Sequence, residues 1–273
     1  MLVLDLPHLT FDARIQCGPD AVQVGRRLTK IVLPVERTEE GNSVLGLRPI
    51  LLVHLTGANA MTTRQLVGPD LLPLVDALPP LQLSEETLPS LRQMIASSVE
   101  NQKLPDLPVN CTDVFIPSLY GSHLIRGLRI QPQNLSPGSA AILHFHGGGH
   151  VMGMPEMNLP QLMEWAAKLE CLVLSIDYRL APETPYPGPM EDAYSALHWI
   201  HTNSGVLNLD PCRIAVAGQS ASGAMAACLS LMARDRNEYP IAFQLLEAPR
   251  LEAAIAKGRE ANPYTGEFVW TRD

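Results

Sequence analysis

Residues 140–246 alternate four near-continuous apolar runs with three stretches of helical periodicity, and few folds accept that pattern. The apolar runs are 140–145, 171–176, 214–217 and 241–246. Between them Leu162, Trp165, Ala166 and Leu169 recur at the spacing of one helix face. Ala193, Ala196, Leu197 and Ile200 repeat that spacing, and so do Ala224, Ala227, Cys228 and Leu231. A strand that is apolar on both sides must be covered on both sides. The pattern therefore predicts an α/β fold: a mostly parallel sheet with helices on both faces. Such sheets bind ligands beyond the carboxyl ends of their strands.

Upstream, residues 111–117 and 124–131 read as two strands around Tyr120-Gly121-Ser122, a meander-like pair. Residues 69–101 read as helix in pieces, interrupted by Pro79-Pro80. Ser84 can cap a helix there, with Glu85 and Glu86 near its positive end and Leu88, Leu91 and Ile95 on one face. Residues 1–60 show no clear periodicity beyond a short strand candidate at 51–55. They read as an N-terminal extension ahead of one domain at 61–273.

Two chemical motifs fall at strand ends. The run 214–217 leads into Gly218-Gln219-Ser220-Ala221-Ser222-Gly223. A serine hydroxyl is a poor nucleophile and must be presented to substrate and base, which a tight strand–turn–helix elbow does. The turn needs small neighbours, and Gly218, Ala221 and Gly223 supply them. The run 140–145 leads into His146-Gly147-Gly148-Gly149. Acyl transfer passes through an oxyanion, which needs preorganised N–H donors. Gly147 and Gly148, with the amide of Ala221, are the candidate donors. His146 is a candidate for ordering the glycine loop by hydrogen bonding. Asp177-Tyr178-Arg179-Leu180-Ala181-Pro182-Glu183 reads as a polar loop that pins the glycine loop by hydrogen bonds and salt bridges, with Asp177 as its loop-ordering residue. His144, His146 and His150 also allow a metal reading, but three glycines separate His150 from the others and no carboxylate is interleaved, so no metal is expected.

Composition narrows the partners. The net charge of −8 argues against a nucleic-acid partner, which needs clustered Lys and Arg. No apolar run is long enough to span a bilayer. Met1 to Pro7 lacks a basic n-region and carries Asp5, so it does not read as a secretory signal. Five cysteines without a CxxC pair read as reduced, buried thiols of a cytoplasmic protein.

The three motifs in this order, 146–153, 177–187 and 218–223, resemble the hormone-sensitive-lipase-like esterases of the α/β-hydrolase fold. The resemblance covers residues 61–273. It implies a serine hydrolase of carboxylic esters, acting on a small-molecule ester without a cofactor. Ser220 would be the nucleophile, with Gly147, Gly148 and Ala221 as the oxyanion hole. It also implies that the helices in 69–101 form an N-terminal cap shaping the acyl pocket. Two positions depart from the family: Gln219 stands where an acid is common, and Ser222 where glycine is common. The larger departure is order. In this fold the triad acid and histidine follow the nucleophile, whereas all eight histidines here precede Ser220. The sheet is therefore expected to be incomplete at its C-terminal end and the chain impaired. Its last strand would leave an edge where a second copy can pair. A non-catalytic homologue that binds small ligands is the competing expectation.

Overall fold

A computed structural model describes residues 63–77 and 83–251. Residues 83–251 belong to one compact unit and residues 63–77 to another. The expected extension at 1–60, the Pro79-Pro80 break and the residues after 251 lie outside the described residues.

In the larger unit, β1 (Val109–Pro117) and β2 (Leu124–Pro132) form an antiparallel pair in which Val109 faces Pro132 and Pro117 faces Leu124. β2 then runs antiparallel to β4 (Leu172–Asp177). β3 (Ser139–Phe145), β4, β5 (Leu209–Gln219) and β6 (Phe243–Glu247) are mutually parallel, in the order β1-β2-β4-β3-β5-β6. Apolar residues on both sides of β3 and β4 make these central strands. Leu143, Phe145, Leu174 and Ile176 pack on one face against α4 (Gly188–Thr202) and α5 (Ala221–Arg236). Ile130 and Val173 pack on the other against α3 (Leu159–Leu169), through Leu162, Met163 and Ala166. Helices thus cover both faces, as the alternation predicts. After β3 the chain moves to β4 on one side and later to β5 on the other. The carboxyl end of β3 is therefore a topological switch point.

α2 (Leu88–Glu100) starts one turn later than its cap signal. The Ser84 hydroxyl accepts the Thr87 N–H at 3.2 Å and the Ser84 carbonyl accepts that of Leu88 at 2.9 Å, so Ser84 closes the turn that leads in. α1 (Leu72–Ala77) lies in the smaller unit, where Arg64 and Asp76 form an exposed ion pair.

Four expectations need correction. The last strand is shifted two residues along its expected start, to Phe243. Leu169 ends α3 exposed rather than buried, because Glu170 turns left-handed at φ 49° and the chain leaves the helix there. The buried face of α5 is Met225, Ala226, Leu229 and Ala233, whereas Cys228 and Leu231 point outward. Alanine occupies several sides of this helix, so periodicity does not distinguish them. The close approach of its first turn to β5 does: a Cβ on Gly218 would stand 2.1 Å from the Ser222 carbonyl oxygen. The cysteines are also not uniformly buried thiols. Cys171 is buried and its thiol pushed up to about 12 by burial, Cys111 and Cys228 are exposed, and Cys212 is disulfide-bonded. Among the described residues no helix is long and apolar enough to cross a membrane.

Candidate active site

Parallel pairing brings the two chemical motifs together. Phe145 of β3 is in register with Gly218 of β5, so the glycine loop and the serine turn leave the sheet side by side. They stay close: a Cβ on Gly147 would stand 3.2 Å from the Gln219 amide oxygen and 3.4 Å from its carbonyl oxygen.

Ser220 sits between β5 and α5 with φ 57° and ψ −119°. A non-glycine residue pays on the order of 1–3 kcal/mol for such a conformation and keeps it only where neighbours over-determine it. Here the Ser220 N–H donates to the Glu247 carbonyl at 2.9 Å, and the Ser220 carbonyl accepts from Gly223 and Arg250, each at 3.1 Å. The end of β6 thus clamps the elbow from outside. The first N–H groups of a helix have no partner within it, and Ala221 is the first residue of α5. Ser220 is part-exposed and Ala221 is buried.

The glycine loop is equally constrained. Gly148 has φ +126°, and a Cβ there would stand 2.0 Å from the Met152 carbonyl oxygen, so no other residue fits without rearrangement. His150 is also left-handed, at φ 62°. The Val151 and Met152 N–H groups both close back on the Gly148 carbonyl, at 3.1 and 3.0 Å.

His146 is fully buried, with Nδ1 2.9 Å from the Gly147 carbonyl and its ring stacked on Tyr178 at 4.4 Å. Burial holds the imidazole down at about 4, against the hydrogen bond to Gly147, which raises it. It is therefore neutral at pH 7 and contacts the loop as a hydrogen-bonding group. His144 faces the other way, into the α3 side, with Nδ1 2.8 Å from Ser175 Oγ and its ring edge-on to Trp165. Burial holds it at about 3. His150 packs near Ala221 and Arg250, and burial lowers its titration. Among the described residues no group of three or more His, Cys, Asp or Glu is placed to hold a metal ion.

Asp177 stands opposite Arg126 of β2, with Arg126 Nη1 3.5 Å from its carboxylate. Arg126 also pairs with Asp113 at 2.8 Å and with Glu156. Asp177 therefore reaches the segment after the glycine loop through Arg126, while burial raises its carboxyl above the usual range. The direct hold on the loop comes from its sequence neighbours. The Tyr178 hydroxyl lies 2.8 Å from the His146 carbonyl, and the Ala181 N–H donates to the His150 carbonyl at 2.9 Å. Ser222, the residue in place of a common glycine, is buried and its hydroxyl donates to the same His146 carbonyl at 2.5 Å. The sequence points to the 177–183 loop for this role but singles out Asp177 rather than Tyr178, and it gives no such role to Ser222. Tyr178 and Ser222 lie inside quoted motifs, so a buried hydroxyl beside a glycine loop was the available signal.

The chain is similar to known proteins of the same fold. A protein family described as the alpha/beta hydrolase fold matches residues 142–273. Esterase LipI of Mycobacterium tuberculosis is 36% identical over 194 residues, which are 70% of this chain and 59% of LipI. Bovine hormone-sensitive lipase is 39% identical over 106 residues, 39% of this chain and 14% of the lipase. Among solved structures, a bacterial heroin esterase superposes with a TM-score of 0.65 at 34% identity, covering 77% of this chain and 66% of that one. The chain thus spans 59% of LipI and 49% of the mycobacterial carboxylesterase NlhH.

Proposed function

Because the chain belongs to the α/β-hydrolase fold, among the hormone-sensitive-lipase-like esterases, we propose that it carries the nucleophile and oxyanion half of a carboxylic ester hydrolase. Ser220 Oγ gives up its proton and attacks the acyl carbonyl of a small ester with a short acyl chain. The carbonyl electrons move to oxygen, and the amides of Gly147, Gly148 and Ala221 stabilise that oxyanion. Collapse breaks the ester C–O bond and expels the alcohol, which takes up the proton that Ser220 lost, and leaves an acyl-enzyme on Ser220. Water then attacks the acyl group, releasing the acid and returning a proton to Ser220 Oγ. Each oxyanion donor lost costs about 10²–10³ in rate. His146 and Asp177 serve the reaction by ordering the loop and the segment behind it.

One observation carries this reading: the left-handed Ser220 turn stands directly beside Gly147 at adjacent parallel strand ends. The proton acceptor for Ser220 is a separate matter. In this fold the base follows the nucleophile, whereas the eight histidines of this sequence precede it. These 273 residues by themselves should therefore turn over weakly, since loss of a triad member leaves on the order of 10³–10⁴ over water. Slow deacylation suits a mass-spectrometric test. Incubation with p-nitrophenyl butyrate should leave one butyryl group on the peptide containing Ser220, and none after Ser220→Ala. Labelling elsewhere, with Ser220 unmodified, would remove the hydrolase reading. We also propose that copies of the chain associate through the outer edge of β6.

A further inference from the structure

Arg92 projects from α2, the helix expected to cap the site, and its guanidinium reaches two segments distant in sequence. Nε donates to the Val151 carbonyl at 2.8 Å, inside the glycine loop. Nη2 donates to the Ala181 carbonyl at 2.9 Å, and Nη1 and Nη2 take the two Glu183 carboxylate oxygens at 2.6 and 2.9 Å. The Ala181 N–H in turn holds the His150 carbonyl. One planar group thus joins helix, glycine loop and the loop after β4. Between Gly148 and Gly153 four residues hold positive φ: Gly148, Gly149, His150 and Gly153. Such a loop does not hold its shape unaided.

We propose that Arg92 is a positioning residue that latches the cap helix to the oxyanion loop, so that the donor amides are set only while α2 is docked. Its catalytic consequence rests on the hydrolase reading above; its structural consequence does not. The guanidinium fork is needed for this, because a lysine ammonium cannot span two carbonyls and a carboxylate in one plane. The carboxylate partner matters less. Glu183 is largely exposed, and exposed ion pairs contribute little.

The test is amide hydrogen exchange by mass spectrometry on the full chain. Arg92→Lys and Arg92→Ala should speed exchange of peptides covering 147–153 by about ten-fold. Peptides covering β3, β5 and the elbow at 218–223 should be unchanged. Glu183→Gln, which leaves both carbonyl contacts in place, should change the loop less than about two-fold. Loop exchange unaltered in Arg92→Lys, or a uniform rise across the chain, overturns the proposal, and this holds even if Arg92→Ala does not fold. Where turnover is measurable, Arg92→Lys should lower kcat and leave KM near its original value. If Ser220→Ala leaves turnover intact while the loop still loosens in Arg92→Lys, the hydrolase reading falls and the latch stands.

Discussion

The Tyr178 and Ser222 hydroxyls lie 2.8 Å apart, and both converge on the carbonyl of His146. All three residues are almost fully buried. The contact joins the three sequence motifs at one point: the glycine loop through His146, the loop after β4 through Tyr178, and the first turn of α5 through Ser222. It also gives Ser222 a purpose that glycine at that position could not serve.

The shared acceptor makes the two hydroxyls partly redundant. Tyr178→Phe keeps the ring stacked on His146 and leaves Ser222 donating to the carbonyl. It should cost about 1 kcal/mol, a fall of a few degrees in Tm. Ser222→Ala should cost a similar amount. The double variant strands a buried carbonyl, so its loss should exceed the sum of the singles by about 1 kcal/mol or more. Urea unfolding of the four proteins measures this, and strict additivity would show that the hydroxyls act independently.

Gly218→Ala should be far more damaging than its size suggests. The added Cβ would meet backbone at 2.1 Å from the Ser222 carbonyl oxygen and 2.9 Å from the Gly223 nitrogen. Neither can swing away as a side chain can, so α5 must lift from β5 at the elbow. Labelling of Ser220 by the ester should disappear, and Tm should fall by more than for Tyr178→Phe. A variant that labels normally would show that the elbow tolerates a wider helix–strand gap.

Some of this architecture is legible in residues and some is not, for physical reasons. β3, β4 and α4 were readable because apolar side chains on both strand faces, and a clean helical stripe, follow directly from being covered. The Ser220 turn and Gly148 were readable because a strained backbone demands small residues. The buried face of α5 was not, since alanines fit either inward or outward and a glycine contact at its first turn decides. Arg92 could not be read at all. It contacts Val151 and Ala181 across 59 and 89 residues, and nothing in its local sequence marks a long-range hydrogen bond.

The outer edge of β6 should govern self-association. β6 pairs with β5 through Ala215–Phe243 to Gln219–Glu247, and among the described residues no strand pairs with its other side. Leu245 is 36% exposed on it. An unpaired apolar edge accepts another strand, and a lysine there opposes it. In sedimentation velocity Leu245→Lys should weaken association by at least about ten-fold, because a symmetric contact sets like charges together. An unchanged distribution would place any association elsewhere.

Acid should destabilise the fold well above the usual carboxylate range. Burial holds His144 at about 3, and His146 and His201 at about 4, against an ordinary value of 6.5. Between pH 6.5 and about 4 the unfolded chain binds protons that these folded imidazoles refuse. Stability is therefore fully present above pH 6.5 and is lost as pH falls through this window. The buried Asp177 carboxyl is raised above its ordinary value, so it gains a proton earlier in the folded state and works in the opposite direction. With His150, whose titration burial also lowers, four imidazoles oppose one carboxylate, and the net slope should be a loss. Urea midpoints at pH 7.5, 6.0 and 5.0 should fall in that order. His201→Gln should flatten the slope by about one proton, since it removes one of the four groups. A midpoint that holds steady from pH 7.5 to 5.0 would mean that these imidazoles are protonated in the folded protein.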